Sequence, residues 1–316
     1  MSPDLNQQPP LVVIAGPTAV GKTTLAIQIA KQLSGEIVNA DSRSFYRGMD
    51  IGTAKPTAYD QNSVPHHLID ILDPADEMSL SRFQDLAFTA IDNILERHHL
   101  PILVGGTAQY VNSVVENWKI PQVAPDIQFR AEMAQRIVEE GHSRLLEELR
   151  AVDPESAERT GPNPRRIIRA LEVYHVTGVP MTQLQGKRPP RYRTLQFELW
   201  VPREVLHHRI ARRVDEMLER GLIREVQTLL NHGVSSTLPA FSSIGYREVV
   251  PYINGEQSLA ETAAAIRHSS NRLVRHQQTW FRKNPAMQRI DMTDDGAYES
   301  VLQSIHTYLD IETNRR

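Results

Sequence analysis

The sequence predicts an α/β fold: a parallel sheet that carries a phosphate-binding loop and is interrupted by a helical insertion. Three observations predict it. Short β-branched runs alternate with stretches of helical spacing, as strands do when helices cover both faces of a sheet. The run Gly16-Pro-Thr-Ala-Val-Gly21-Lys22-Thr23 stands between the first such strand and the first helix. Between about Pro121 and Pro190 the strand patterns vanish, and helical periodicity and arginines take over.

Element by element, residues 1–10 are polar and proline-containing and read as a disordered lead. Leu11–Ala15 is apolar and β-branched. With no basic residue before it and no small-residue cleavage pattern after it, it reads as a buried strand rather than a signal-peptide core. A helix is expected over about Lys22–Leu33 and a strand over Glu36–Ala40. A weaker strand is expected over His67–Leu72, a helix over Ser79–Arg97 and a strand over Pro101–Val104, which runs into Gly105-Gly106-Thr107. Leu195–Val201 returns to strand character, and Leu206–His276 is mostly helical. The domain boundaries expected are therefore a core over 11–120, a helical insertion over 121–192, and core completion with basic helices over 193–316.

Composition narrows the function classes. The chain has 316 residues, which suits two domains or one domain with a large insertion. Hydrophobic residues make up 40% and charged residues 23%, enough apolar surface for a sizeable core. No run of about 18 apolar residues is present to span a membrane. The sequence contains no cysteine, which excludes disulfides, cysteine nucleophiles and thiolate-bound metals and fits a reducing compartment. A cytoplasmic monomer is expected.

The Gly16–Thr23 loop is a device for anions. Its backbone N–H groups turn inward, a helix N-terminus adds its positive end, Lys22 adds a full charge, and the Thr23 hydroxyl can hold Mg²⁺. The loop says neither which molecule carries the phosphates nor whether a phosphoryl group moves. Asp41 ends the second strand, at the edge where open α/β sheets bind ligands. It could act as a general base, hold Mg²⁺ directly or through water, or cap a turn. Gly105-Gly106-Thr107 ends another strand at that edge, where glycines permit close approach and the threonine hydroxyl can reach a substrate. His66 and His67 are adjacent on a strand and point to opposite faces, which disfavours joint metal ligation. Neither an H-E-x-x-H nor a G-x-S-x-G pattern occurs.

The formal charge is only −3, yet basic charge is segregated. Arg159 to Arg193 holds eight basic residues against one acid, Glu172. Arg267 to Arg289 holds six and no acid, with Trp280 and Phe281 interleaved. Arginines beside aromatics suit single-stranded RNA, where phosphates pair with guanidinium groups and splayed bases stack on rings.

Taken together, these motifs resemble the bacterial tRNA dimethylallyltransferase (tRNA isopentenyltransferase) family. The resemblance rests on Gly16–Thr23, Asp41-Ser42, Tyr46-Arg-Gly-Met-Asp-Ile-Gly-Thr-Ala-Lys-Pro56, Val64-Pro-His-His-Leu-Ile-Asp-Ile71, Pro101–Thr107, Arg166–Val173, Arg213-Val-Asp-Glu-Met217, Ile244–Arg247 and Gln278–Arg282. It implies a P-loop NTPase-like sheet core with a helical insertion domain. The reaction implied is Mg²⁺-assisted transfer of the dimethylallyl group from dimethylallyl diphosphate to N6 of adenosine 37 in the tRNA anticodon stem-loop. The catalytic residues implied are Asp41, Thr107, Lys22 and Arg213. Gly16, Pro17, Thr18, Ala19, Val20, Gly21, Lys22 and Thr23 would hold the diphosphate. Thr23 would hold the metal, with Asp41 through water.

The tRNA contacts implied fall in several stretches. One comprises Asp41, Ser42, Arg43, Ser44 and Thr107; another is Arg130 with Arg165, Arg166, Ile167, Ile168 and Arg169. A third is Ser242, Ser243, Ile244, Gly245, Tyr246 and Arg247. The last is Arg275, His276, Gln277, Gln278, Thr279, Trp280, Phe281 and Arg282. The chain departs from the family pattern at Arg43-Ser44, where Met-Gln is common, at Ala108-Gln109, and at Pro162-Asn-Pro-Arg-Arg166. Lys22, Thr23 and Asp41 alone would also fit a small-molecule kinase or an isopentenyltransferase acting on free adenylate. The two basic segments weigh against both, and the intact Lys22, Thr23 and Asp41 weigh against a non-catalytic RNA-binding protein.

Overall fold

The computed structural model describes residues 8–313. Most of the lead expected over 1–10 lies outside the described residues, and Pro10 already belongs to the first strand. The described chain separates into two compact units, one up to Val115 and from Pro190 onward, the other Glu116–Pro189.

In chain order, the first unit opens with β1 (Pro10–Ala15), α1 (Lys22–Gln32), β2 (Gly35–Asn39), α2 (Ala58–Ser63), β3 (His66–His67), α3 (Leu80–Glu96), β4 (Leu100–Gly105) and α4 (Ala108–Val115). The second unit holds β5 (Trp118–Lys119), α5 (Ile127–Glu140), α6 (His142–Val152), α7 (Pro154–Thr160), α8 (Pro164–Thr177), α9 (Met181–Leu184) and β6 (Gly186–Lys187). The first unit then resumes with β7 (Arg193–Trp200), α10 (Arg203–Glu219), α11 (Leu222–Asn231), a 3₁₀ turn (Pro239–Ser242), α12 (Tyr246–Ile253), α13 (Leu259–Phe281), β8 (Met287–Asp291) and α14 (Ala297–Thr313).

Six strands form one parallel sheet in the order β3-β2-β4-β1-β7-β8. β1 sits inside it, with Leu11–Ala15 buried, which is why its sequence is a continuous apolar run rather than an alternation. Ala15 pairs in register with Gly105 on one side and Glu198 on the other, and Asn39 pairs with Val104. The carboxyl ends of β1, β2 and β4 are therefore level, and the segments after Ala15, Asn39 and Gly105 emerge together.

The strand expected over His67–Leu72 is cut to two residues. Leu68 and Asp70 take positive φ (62° and 55°), which breaks the extended chain, and Leu72 returns only as a single bridge to Tyr46. Buried Glu36 on β2 fastens this edge. It accepts from Arg97 Nη2 at 2.7 Å and lies 2.6 Å from both His67 Nε2 and His99 Nδ1. Burial pushes its carboxyl up, but these partners outweigh it and hold it down at about 2. β8 was not expected from the sequence, because an edge strand with Gln288 and Arg289 exposed carries no apolar run.

The second unit has its own core, built on Leu145, Leu149, Ile167 and Leu171, with Phe129, Met133 and Ile137 packed against it. Glu172 is fully buried beside it. It accepts two bonds from Arg130 (2.7 and 2.9 Å), one from Arg169 (2.5 Å) and one from the Asp126 N–H (2.8 Å). Burial opposes its ionisation, and the two guanidinium groups and the N–H more than offset that.

Candidate functional site

The phosphate loop grows from the end of β1. A Cβ on Gly16 would stand 2.6 Å from the Leu199 carbonyl, so only glycine lets the loop leave the sheet this close to β7. Ala19 takes a left-handed φ of 63°, and Gly21 at 107° starts α1 without a side-chain cap. The first N–H groups of α1 are thus left to an anion.

Three side chains brace this loop from outside. Arg213 Nη1 donates to Thr18 Oγ1 at 2.8 Å, and Arg209 Nη1 donates to the Val20 carbonyl at 3.1 Å. Gln277, from α13, accepts the Thr18 N–H at 3.0 Å and donates to the Gly106 carbonyl at 2.9 Å. A Cβ on Gly106 would lie 2.5 Å from the Gln277 amide nitrogen, so this glycine admits the brace.

Lys22 is turned onto its own loop, donating to the Gly16 and Pro17 carbonyls at 3.0 and 2.7 Å. Burial, with Arg213 adding to it, pushes its ammonium down to about 8, and the Asp41 charge only partly opposes this. Arg213 is also pushed down by burial, again opposed by Asp41. The Asp41 carboxylate is therefore within electrostatic reach of both cations. It is held by a turn of its own, with Oδ1 accepting the Arg43 N–H at 3.0 Å. The turn role and a position facing the loop coexist. Thr107 Oγ1 accepts the Ser42 N–H at 3.3 Å, joining the ends of β2 and β4.

Two cavities adjoin here, of about 510 and 490 Å³. The first takes in Lys22, Thr23, Asp41, Arg209 and Arg213. The second takes in Asp41, Ser42, Arg43, Thr107, Arg247 and Gln277. Arg43 is aimed by bonds to the Pro239 carbonyl (3.3 Å) and Ser242 Oγ (3.1 Å).

The residues expected at the RNA-facing side divide four ways. Ser242, Ser243, Ile244, Arg247 and His276 line the second cavity. Arg165 and Arg166 on α8 and Arg275, Thr279, Trp280 and Arg282 on α13 or at its end are exposed, while Ile168 and Gln278 are half-buried. Ile167, Tyr246 and Phe281 are buried, so their side chains are not surfaces for RNA; Gly245 is buried too and has no side chain, and Ser44 is buried against the first cavity. The Tyr246 hydroxyl instead donates to Glu225 at 2.6 Å, and Glu225 also accepts the N–H groups of Asp50, Ile51 and Gly52. That carboxylate thereby holds the Tyr46–Pro56 stretch against α11 and α12. Arg130 and Arg169 are engaged by Glu172, and Gln277 acts on the phosphate loop.

Sequence reasoning missed Arg209, Lys55 and Glu225. Arg209 had a signal: it stands four residues before Arg213, on the same helix face. Buried Lys55 is tied to the Tyr46 carbonyl (2.8 Å), Asp70 (2.6 Å) and Asp50, and nothing in its spacing announces that.

The family model for IPP transferases matches residues 44–284. The chain belongs to this family, the tRNA dimethylallyltransferases. The family member of Thermomicrobium roseum is 45% identical over 311 residues, 98% of this chain and 94% of the relative. Among solved structures, the full-length tRNA isopentenylpyrophosphate transferase of Bacillus halodurans is 40% identical with a TM-score of 0.70, covering 96% of this chain and 97% of that one. A eukaryotic dimethylallyltransferase solved acting on tRNA is 26% identical with a TM-score of 0.80, covering 98% and 80%. The match to the family model starts after the phosphate loop and Asp41, so the loop geometry above is evidence separate from it. No helix among the described residues is long and apolar enough to cross a membrane.

Proposed function

We propose that this chain carries out its family's reaction, the transfer of a dimethylallyl group from dimethylallyl diphosphate to adenosine 37 of tRNA. The observation that carries this reading is the position of Asp41. It borders both cavities, one lined by the phosphate loop and its cations, the other by Arg43, Thr107 and Arg247.

In this reading the diphosphate lies against the α1 N-terminus, Lys22 and Arg213. As the C1–O bond breaks, the bonding electrons leave on the diphosphate, and these cations stabilise the charge that develops. Lys22 leaves the Gly16 and Pro17 carbonyls to meet the anion. The base enters the second cavity out of its stack, as nucleobase enzymes require. Adenine N6 forms the new C–N bond, and Asp41 accepts the N6 proton and aims the amine. Thr107 supports the Ser42 backbone beside it.

Mg²⁺ fits the donors present. Among the described residues no cluster of three His, Cys, Asp or Glu could cage a metal. Mg²⁺ needs no such cage, since it keeps water and binds one or two protein oxygens plus phosphates. The Thr23 hydroxyl and, through water, the Asp41 carboxylate would supply those oxygens. When bound, the ion would neutralise leaving-group charge. The exposed arginines on α8 and α13 would meet the phosphates of the anticodon stem-loop.

The test is incubation with labelled dimethylallyl diphosphate, Mg²⁺ and unmodified tRNA. Label at adenosine 37 supports the reading. Label in AMP but not tRNA, or ATP consumption with a small acceptor, overturns it.

A further inference from the structure

The two cavities share only five lining residues: Thr18, Asp41, Thr53, Arg213 and Met217. Four of them are polar. Met217 is the single apolar side chain on the boundary, and it stands on α10 four residues after Arg213, which itself stands four after Arg209. Residues four apart share a helix face, one turn further along at each step. This face of α10 therefore presents two cations to the phosphate loop and then a thioether, about 6 Å along the axis from the second cation. A prenyl diphosphate has the same order of charge and hydrocarbon.

Resting on the transfer proposed above, we infer that Met217 is the wall against which the transferred prenyl group lies, and that its bulk limits the length of that group. The group begins bonded to a diphosphate in the first cavity and ends bonded to a base in the second, so it has to occupy the boundary. Apolar surface there comes from Met217 and the methyls of Thr18 and Thr53, and an unbranched thioether side chain moulds to a small branched hydrocarbon. Ile210 and Val214, on the same helix, continue the apolar lining into the second cavity only.

The experiment compares dimethylallyl diphosphate with its C10 homologue, geranyl diphosphate, on unmodified tRNA. Inhibition by inorganic pyrophosphate is measured in parallel as a report on the loop alone. Met217→Ala should raise the C10-to-C5 ratio of kcat/KM at least about 10-fold, the low end of what a methylene or more of pocket space is worth. Met217→Phe should lower kcat/KM for dimethylallyl diphosphate at least about 10-fold by filling the boundary. Both variants should keep wild-type inhibition by pyrophosphate. An unchanged ratio in a folded Met217→Ala overturns the inference, as does loss of pyrophosphate inhibition in step with activity, which would make Met217 a support for the loop. Should Met217→Ala fail to fold, Met217→Phe decides: full activity with dimethylallyl diphosphate overturns the inference. A wild-type protein that transfers no label would instead sink the proposed reaction, so the two failures are distinct.

Discussion

The phosphate loop and the helical unit over Glu116–Pro189 both rely on arginine, and they treat its charge in opposite ways. In the helical unit, Arg130 and Arg169 converge on Glu172, a carboxylate with no exposure to water. Their charge is answered within the fold. In the loop region, Arg213 and Arg209 bond to a neutral hydroxyl and a carbonyl, and Lys22 bonds to two carbonyls. Asp41 is the acid that offsets burial at both Lys22 and Arg213. The loop therefore holds several cations against few acids in a crowded site, a state that favours any incoming diphosphate. The lesson is that a basic residue points to a ligand when its bonds are to neutral groups, and to architecture when a buried carboxylate already takes it.

This contrast can be broken by substitution. The largest effect is expected for Lys22→Ala, with kcat/KM for dimethylallyl diphosphate falling by about 10³, the scale for removing one donor to a developing anion. Steady-state kinetics at saturating tRNA measure it, and a fall under tenfold would mean the loop charge is not used. Asp41→Ala is expected next, with turnover down by about 10² or more while tRNA affinity stays nearly unchanged. Filter binding beside single-turnover rates separates the two, and unaltered turnover would remove Asp41 as the base.

Glu172→Gln should leave chemistry intact and destabilise the helical unit by about 3 kcal/mol, because two guanidinium groups lose the charge that holds them. Chemical denaturation measures this. Both Glu172 and Glu36 are held below the ordinary carboxylate range, so their stabilisation is full above about 4.5 and is lost as pH falls through the folded values, near 2 for Glu36. The smallest effect is expected for Arg275→Ala and Arg282→Ala. Each should weaken tRNA binding a few-fold and lower the slope of log affinity against log salt by about 1. An unchanged slope would assign these exposed arginines to neither category.

Much of this was legible in the sequence, for physical reasons. The strands that make the sheet centre are buried on both faces, so they appear as apolar runs, and the loop announces itself through the glycines its geometry needs. Asp41 and Thr107 followed from the rule that ligands bind at strand ends. What escaped were features set by tertiary contact. β8 pairs through its backbone while exposing polar side chains. Gln277 was expected as an RNA contact, and only packing turns it toward Thr18. Tyr246 and Phe281 looked like stacking platforms beside arginines, yet both are core. For Phe281 the clue was present: it stands seven residues after buried Val274, on the same helix face.

The central claim is that Lys22 is held in a depressed, available state for a diphosphate. It is tested most directly by titrating pyrophosphate into the wild type and Lys22→Arg in the presence of Mg²⁺ across pH 7 to 9.5. Because the Lys22 ammonium sits near 8 before the anion arrives and is raised by it, wild-type affinity should fall relative to Lys22→Arg as pH climbs through about 8, with protons taken up on binding. Parallel profiles for the two proteins, or a wild type that does not bind pyrophosphate, would contradict it.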